Sequence, residues 1–438
     1  MPPMKSFHII TFGCQMNEHD SERMTGMLEA QGCASTTDAV TADMIILNTC
    51  SIREKAEQKF FSELGRLKKL KDENPGLMIA VAGCIAQQEG ANILARAPHV
   101  DMIFGPSDLA RLPDMVRQKR SSPMPVIDTS GDADYHRKNM PATRIDKLKA
   151  WVSIMYGCDN FCTYCVVPYL RGRERSRTPE DIINEVSELA QQGYKEVTLL
   201  GQNVNSYGKG LEGGADFPVL LRHINDDTDI MRIRFVTSHP RDLSDGLIAA
   251  VRDLPKVCES LHLPVQSGSD NILVSMNRKY TRGGYLDNVN RLRRAVPDIA
   301  LTSDIIVGFP GESDQDFQMT MKLLEEVGFD GLFAFKYSKR PGTQALKLSN
   351  HLPELVKEDR LAQVLELQKT IGARKNKQYL GTIQEILVDG YSKKGGTLSG
   401  RTRGNKAVNV EAPVARIGSF LQVRITSAGE SSLSGQVC

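Results

Sequence analysis

No stretch of this sequence could cross a membrane as a helix: its longest apolar run, residues 77–82, falls far short of the roughly 20 residues required. Disulfide scaffolding is excluded as well, because nine cysteines in 438 residues is an odd count and far too sparse. Free thiols in that number fit a reducing, cytoplasmic compartment. The opening Met1-Pro2-Pro3-Met4-Lys5 leads straight into a strand-like run, so no secretory leader is expected. A strong charge of one sign is also missing, with 55 Lys and Arg against 53 Asp and Glu. That balance hides an asymmetry. Residues 375–438 hold nine Lys or Arg and four Asp or Glu, a net +5, so the remainder sums to −3 against the total of +2. A basic C-terminal segment on a near-neutral body points to contact with a polyanion, the plain alternative being a solvated basic face. What remains is an ordinary globular composition and a length sufficient for two or three domains.

Residues 1–118 alternate between strand-like and helix-like patterns. Residues 7–12, 44–47, 77–82 and 102–104 read as strands; residues 20–31 and 51–70 read as helices, the first closed by Gly32. This alternation predicts a doubly wound parallel α/β domain. The first three strands each end at a cysteine: Cys14, Cys50 and Cys84, separated by 36 and 34 residues, about one βα unit apiece. In a parallel sheet the carboxyl ends of the strands share one edge, where ligands bind. Topology therefore predicts that these three thiols converge, although three buried small hydrophobes would look the same in sequence. Cys33, Cys258 and Cys438 have no such placement and read as structural. Residues 119–149, with Ser121-Ser122-Pro123-Met124-Pro125 and many charges, read as an interdomain linker.

From Ala150 the alternation resumes. Strand candidates at residues 151–155, 196–200, 232–236, 260–263, 301–307 and 331–337 have helical stretches between them, such as 179–192 and 314–327. They predict a partial (β/α)6 TIM-like barrel over residues 150–375, inside which the lone Trp151 should pack. Residues 376–438 switch to short alternating strands with glycine turns. That texture predicts a small antiparallel β-barrel, of a kind that binds RNA through its phosphates and shape. Lys393, Lys394, Arg401, Arg403 and Lys406 cluster around its turns and are RNA-binding candidates.

The first barrel strand runs into a loop with Cys158, Cys162 and Cys165 at C-x3-C-x2-C spacing. Three close thiolates can hold three irons of a cubic [4Fe–4S] cluster and leave the fourth iron open to a small molecule. Electron-transfer clusters and most structural zinc sites need a fourth ligand, and the next cysteine is the distant Cys258. A zinc knuckle or three structural thiols are the bland readings. The spacing resembles the signature of the radical S-adenosylmethionine (SAM) superfamily, in which SAM chelates the open iron. Residues after the other barrel strands are SAM-contact candidates by position: Gln202, Asn203, Ser238, Gln266, Gly308 and Glu312. Arg171, Arg173, Arg175 and Arg177 alternate just beyond the loop. Extended backbone would set all four on one face, toward a SAM carboxylate (Arg171) or RNA phosphate (Arg173, Arg175, Arg177). His239 reads as structural, and Asn17 and Arg53 as residues lining a substrate pocket.

Over essentially its whole length the chain resembles the radical-SAM methylthiotransferase family, MiaB type. The likeness is carried by Asn48-Thr49-Cys50-Ser51-Ile52-Arg53-Glu54-Lys55-Ala56, by Gly157-Cys158 through Arg177, and by Thr302-Ser303-Asp304-Ile305-Ile306-Val307-Gly308-Phe309-Pro310-Gly311-Glu312. A final segment with Gly400-Arg401-Thr402-Arg403 is similar to a TRAM domain. The resemblance implies two [4Fe–4S] clusters: a radical source on Cys158, Cys162 and Cys165, and an auxiliary cluster on Cys14, Cys50 and Cys84. All six cysteines would then be catalytic. It implies a tRNA methylthiotransferase that converts N6-isopentenyladenosine at tRNA position 37 to its 2-methylthio derivative. One SAM would donate the methyl group and a second would yield the 5′-deoxyadenosyl radical, because the adenine C2 hydrogen is not acidic and needs cofactor chemistry. Related enzymes suggest two alternative substrates, threonylcarbamoyladenosine in tRNA and a ribosomal-protein aspartate. From a different class, a non-catalytic iron–sulfur RNA-binding redox sensor is the alternative. The implied partners are the tRNA anticodon stem-loop, an external electron donor and an iron–sulfur carrier or repair protein. A monomer without membrane contact is expected.

Overall fold

The computed structural model describes residues 4–50, 54–131, 140–392 and 395–438, with residues 54–57 as backbone alone. Contacts divide the chain into two units. One comprises Met1–Lys147, Trp151–Asp159 and Val166–Asp181; the other comprises Leu148–Ala150, Asn160–Cys165 and Ile182–Cys438. No helix among the described residues is long and apolar enough to cross a membrane.

The first unit is built on β1 (Ser6–Phe12), β2 (Ala34–Ser35), β3 (Met44–Thr49), β4 (Met78–Gly83), β5 (Met102–Phe104) and β6 (Val126–Asp128). All pair in parallel, in the order β2-β1-β3-β4-β5-β6. Strands β3 and β4 are buried along their whole length, as continuous apolar runs require when both faces are covered. Between the strands lie α1 (Gln15–Glu29), α2 (Glu54–Glu73), α3 (Cys84–Glu89), α4 (Asn92–Arg96) and α5 (Leu112–Ser121). Phe60, Leu64 and Leu67 of α2 and Ile85 of α3 pack on Ile45, Leu47, Ile79 and Val81. Helix α1 starts well before the residue its periodicity suggests. Cys14 caps it, and the Asn17 side chain returns to the Cys14 backbone, forming a capping box that extends the helix toward the strand end. Strand β6 arises inside the segment read as linker. Val126 pairs with Met102, and Lys119, itself buried, ties the segment to Asp101 at 3.2 Å and to the Pro123 carbonyl at 2.8 Å. Strand β7 (Lys149–Ser153) follows. The first unit then adds the short pair β8 (Met155–Tyr156) and β9 (Arg175–Ser176), with α6 (Val167–Leu170) between them.

After α7 (Pro179–Gln191) the expected alternation appears: β10 (Glu196–Leu200), α8 (Phe217–Asp227), β11 (Arg232–Phe235), α9 (Asp245–Asp253), β12 (Ser260–His262), α10 (Asp270–Ser275), α11 (Arg282–Ala295), β13 (Ala300–Val307), α12 (Asp314–Val327) and β14 (Gly331–Lys336). The strands form two three-stranded sheets, β11-β10-β7 and β12-β13-β14, joined by a single parallel bridge from Ile233 to Val257. This is a laterally open barrel of six strands; Trp151, in the part of β7 that falls in the first unit, is half-buried. Helix α13 (Glu354–Lys377) packs on α12 and β14.

The C-terminal strands β15 (Ile383–Tyr391), β16 (Leu398–Thr402), β17 (Ala407–Val410), β18 (Phe420–Ala428) and β19 (Leu433–Val437) close in the order β15-β16-β17-β19-β18. The expected antiparallel pattern holds except at β17–β19, which is parallel. Five strands closed in a ring cannot all alternate direction, so one neighbouring pair must run the same way.

In the turn between β16 and β17, two of the RNA-binding candidates have partners within the protein. Arg403 grips the Glu259 carboxylate with two bonds of 2.7 Å and donates to the Val257 carbonyl. Lys406 donates to the Asp330 carbonyl at 3.1 Å. In return Arg232 donates to the Arg401 carbonyl and the Glu385 carboxylate, and Arg234 to the Thr402 and Arg403 carbonyls. These acceptors and arginines sit at or near the amino ends of β11, β12 and β14, so the turn plugs that end of the open barrel. Arg403 and Lys406 are therefore bound inward; Arg401 keeps an exposed side chain, and Lys393 and Lys394 lie outside the described residues. Arg234 and the Glu196 carboxylate beside it, 2.9 Å apart, are both over nine-tenths buried. Arg234→Ala leaves that carboxylate with only the more distant Arg232, at 4.0 Å, and is expected to cost about 2–4 kcal/mol in urea unfolding, while Arg401→Ala stays within about 0.5 kcal/mol. A chain ending before Lys377 should unfold at lower urea than the full chain; equal midpoints would mean that the plug contributes nothing.

Candidate functional site

Strand register brings the first three cysteines together. Phe12 is opposite Thr49, and Thr49 is opposite Gly83. Cys50 and Cys84 thus lie one step beyond a shared register position, and Cys14 follows Gly13 on the adjoining strand. Gly83 is required here: its φ is +90°, and a Cβ would come within 2.5 Å of the Thr49 carbonyl oxygen. A buried polar network holds the edge. Asn17 Nδ2 donates to Asn48 Oδ1 (3.1 Å), and Asn48 Nδ2 donates to the Asn17 carbonyl (2.8 Å) and to Ser21 Oγ (2.9 Å). Asn17 is fully buried in this role, so it does not line a pocket as expected. Arg53 lies outside the described residues.

The thiols are hydrogen-bonded to one another, with Cys50 central. That bond, helped by the Arg171 charge and opposed by burial, brings Cys14 down to about 6 and Cys84 to about 7. Cys50 is pushed up by its bonds to both neighbours and by burial. Among the described residues no group of three or more His, Cys, Asp or Glu side chains is arranged to hold a single metal ion. The donor chemistry does suit a thiolate-bound cluster: two sulfurs favour the anion near neutral pH beside a buried cation. That cation is Arg171, whose place beside these thiols sequence reasoning did not foresee. Arg171 is buried and donates to Asp20 on α1 at 3.0 Å, which places it with the first three cysteines rather than with a SAM carboxylate. Nothing local in the sequence links residues so far apart.

The other arginines of the alternating set also part company, because the backbone is not uniformly extended. Arg171 follows α6, and Gly172 turns at φ +74°. Arg177 is buried against the Ser153 carbonyl at 2.7 Å. Arg173 is exposed but paired with Asp159 at 2.7 Å, and Arg175 is exposed.

Cys158 belongs to the first unit, and Cys162 and Cys165 to the second. The Cys158 amide donates to the Gly172 carbonyl at 3.2 Å. Preceding it, Gly157 has φ +71°, and a Cβ there would sit 2.1 Å from the Arg173 carbonyl oxygen. In the second unit, the loop is pinned from several strand ends. Arg241 donates to Asn160 Oδ1 (2.8 Å), Asn277 Nδ2 to the Phe161 carbonyl (3.0 Å), and the Thr163 hydroxyl to the Ser275 carbonyl (2.8 Å). Arg278 is buried, donating to Cys162 Sγ at 3.4 Å and to the Pro264 carbonyl at 2.8 Å. It too escaped sequence reasoning, since no spacing marks it.

Of the SAM candidates, three stand out. Gln202 Oε1, Asn203 Oδ1 and Ser238 Oγ are buried without a hydrogen-bond partner. Such groups cost about 1–3 kcal/mol each unless a ligand or water satisfies them. Their loops are knit together, because Val204 donates to the Thr237 carbonyl at 3.0 Å and His239 to Asn205 Oδ1 at 2.8 Å. Thr237 and Gln266 have φ of +67° and +71°, strained conformations for residues with side chains, at the ends of neighbouring strands. Gly308 and Glu312 serve each other instead: the Gly308 amide donates to Glu312 Oε2 at 2.7 Å, and Arg360 pairs with the same carboxylate at 2.6 Å. Glu312 is therefore occupied as a turn brace.

His239 is buried and accepts a hydrogen bond from the Arg241 amide at 3.2 Å. Burial, then the charges of Arg278 and Arg241, hold its pKa down to about 2. It stays neutral in the folded chain, while in the unfolded chain it takes up a proton near the usual value of about 6.5. Its contribution is therefore full above pH about 6.5 and is lost toward acid by about 1.4 kcal/mol per unit. His239→Asn can still accept from the Arg241 amide and is expected to flatten the acid limb of urea stability against pH. An unchanged limb would remove His239 as its source.

Known families cover most of the chain. Residues 6–105 match the uncharacterized protein family UPF0004, residues 152–324 the radical SAM superfamily, and residues 377–438 the TRAM domain. The tRNA-2-methylthio-N(6)-dimethylallyladenosine synthase of Caldicellulosiruptor saccharolyticus is 51% identical over 435 residues, covering 99% of this chain and 92% of that protein. The enzyme of the same name from Thermodesulfovibrio yellowstonii is 51% identical over 433 residues, 99% of either chain. Among solved structures, the radical SAM methyltransferase TsrM of Kitasatospora setae, with tryptophan and a SAM analogue bound, aligns with a TM-score of 0.57 over 88% of this chain and 79% of that one. At 13% identity that likeness is one of fold.

Proposed function

The chain belongs to the tRNA-2-methylthio-N(6)-dimethylallyladenosine synthase family, and from that premise we propose that it methylthiolates carbon 2 of an N6-dimethylallyl adenine in tRNA, with SAM as co-substrate. The observation that carries the reading is the convergence of Cys14, Cys50 and Cys84 on one sheet edge, in a chain that also holds Cys158, Cys162 and Cys165 in one loop. A chain that only generated a radical would have no use for the first set. When bound, two [4Fe–4S] clusters would supply the radical and the sulfur, chemistry outside the reach of any side chain here.

The chain's own residues prepare the sites. Cys14 and Cys84 reach the ligand form readily, whereas Cys50 must give up its proton on binding. Arg171 offsets the negative charge gathered there, and Asp20 keeps its guanidinium aimed. Arg278 plays the corresponding part at Cys162. Gln202, Asn203 and Ser238 offer unpartnered polar atoms to SAM. The anticodon stem-loop would meet the exposed Arg175 and Arg401. Residues 1–118, 150–375 and 376–438 make up the three working parts, in the cytoplasm, with an external electron donor.

Anaerobic reconstitution tests the two-site assignment. The full chain should bind about eight irons, and the triple variant Cys14→Ala, Cys50→Ala, Cys84→Ala about four. Four irons in both proteins would refute the first site. Incubation with SAM, a reductant and tRNA with or without the dimethylallyl group, followed by nucleoside analysis, should give the 2-methylthio product only from the prenylated tRNA.

A further inference from the structure

Parallel register on β12, β13 and β14 sets His262, Thr302, Asp304, Ile306, Phe333 and Phe335 on one face of their sheet. The alternate residues Leu301, Ser303, Ile305 and Val307 are buried. In a closed α/β barrel the inner face is packed core. Here one strand face stays open: Phe333 is 55% exposed and Phe335 38%. Two aromatic rings two residues apart on a strand make an apolar floor, and paired aromatics left in water on a rigid sheet are the usual mark of a binding surface.

The charge on this face selects the occupant. Asp304 is the register partner of Phe333, and His262 is braced between Thr302 Oγ1 at 2.9 Å and the Asp304 carboxylate at 3.4 Å. The His262 ring meets Phe333 edge-on with centroids 5.9 Å apart. No Lys or Arg lies on this strand face. The neighbouring Lys336 falls on the opposite face, paired with Glu358 at 3.0 Å. A surface meant for RNA phosphates would carry cations. An acid beside two phenyl rings instead suits a neutral base with an apolar substituent and repels an anionic one.

We propose that this face seats the N6 substituent of the target adenine, with Phe333 and Phe335 as its floor and Asp304 as the group that rejects a carboxylate-bearing substituent. The inference rests on the methylthiotransferase reading and adds a specificity device to it. A dimethylallyl group is an uncharged, branched hydrocarbon and lies on the rings. A threonylcarbamoyl group carries a carboxylate, which Asp304 turns away.

The test measures binding of three anticodon stem-loop RNAs to the iron-loaded full chain by fluorescence anisotropy: unmodified, N6-dimethylallyl and N6-threonylcarbamoyl. Phe333→Ala and Phe335→Ala should each weaken the dimethylallyl RNA by about tenfold while leaving the unmodified RNA unchanged. Asp304→Asn should leave the dimethylallyl RNA unchanged and tighten the threonylcarbamoyl RNA several-fold. Iron content equal to that of the parent chain serves as the check on folding. Variants that retain the parent's preference, or that lose all three RNAs equally, overturn the inference. If the parent chain methylthiolates the dimethylallyl RNA while the variants keep its preference, only this inference falls. If the parent chain modifies none of the RNAs, the underlying reading falls and takes the inference with it.

Discussion

The three-thiol edge depends on one constraint, the in-register parallel pairing of β1, β3 and β4. Cysteines separated by 36 and 34 residues meet because each occupies the position where its strand ends. A one-residue slip would turn a cysteine to the other face of the sheet, so the register of the strand pairing sets the geometry of the site. The approach is close enough that Gly83 admits no side chain, and Asn48, Asn17 and Ser21 fill the space behind it with mutual hydrogen bonds. Gathering three thiols in a buried place is unfavourable for any anion that forms there. The Arg171–Asp20 pair is the local answer to that cost.

Buried arginine recurs as a building material throughout the chain. Arg171, Arg177, Arg232, Arg234, Arg278 and Arg360 are all withdrawn from solvent. A guanidinium can be buried only where carbonyls or carboxylates meet its fan of N–H donors, and each of these finds them. Two of them that sequence position offered to SAM or RNA, Arg171 and Arg177, are engaged by Asp20 and the Ser153 carbonyl. The open barrel uses its two ends differently as a result. Its amino end is stoppered by the turn carrying Arg403 and Lys406. Its carboxyl end carries the strained Thr237 and Gln266 and the unpartnered atoms of Gln202, Asn203 and Ser238. Rigidity at one end and unsatisfied polarity at the other is the division expected of an α/β barrel that binds at its carboxyl face.

By itself the sequence determined the strand and helix succession, the parallel class of both α/β parts, the two cysteine sets and the small C-terminal barrel. Periodicity is a local property, so elements such as Glu196–Leu200 and Asp314–Val327 read correctly without their neighbours. Tertiary structure decided the rest. It recruited β6 from an apparent linker, because pairing with β5 outweighs the loop-like composition of the residues around it. It imposed one parallel pair on the closed five-strand ring. It also sorted the arginines into buried braces and exposed cations, and left Phe333 and Phe335 uncovered on a face that a closed barrel would fill. Long side chains choose partners from whatever the fold brings near, and exposure depends on what packs opposite. Neither is a property of any window of sequence.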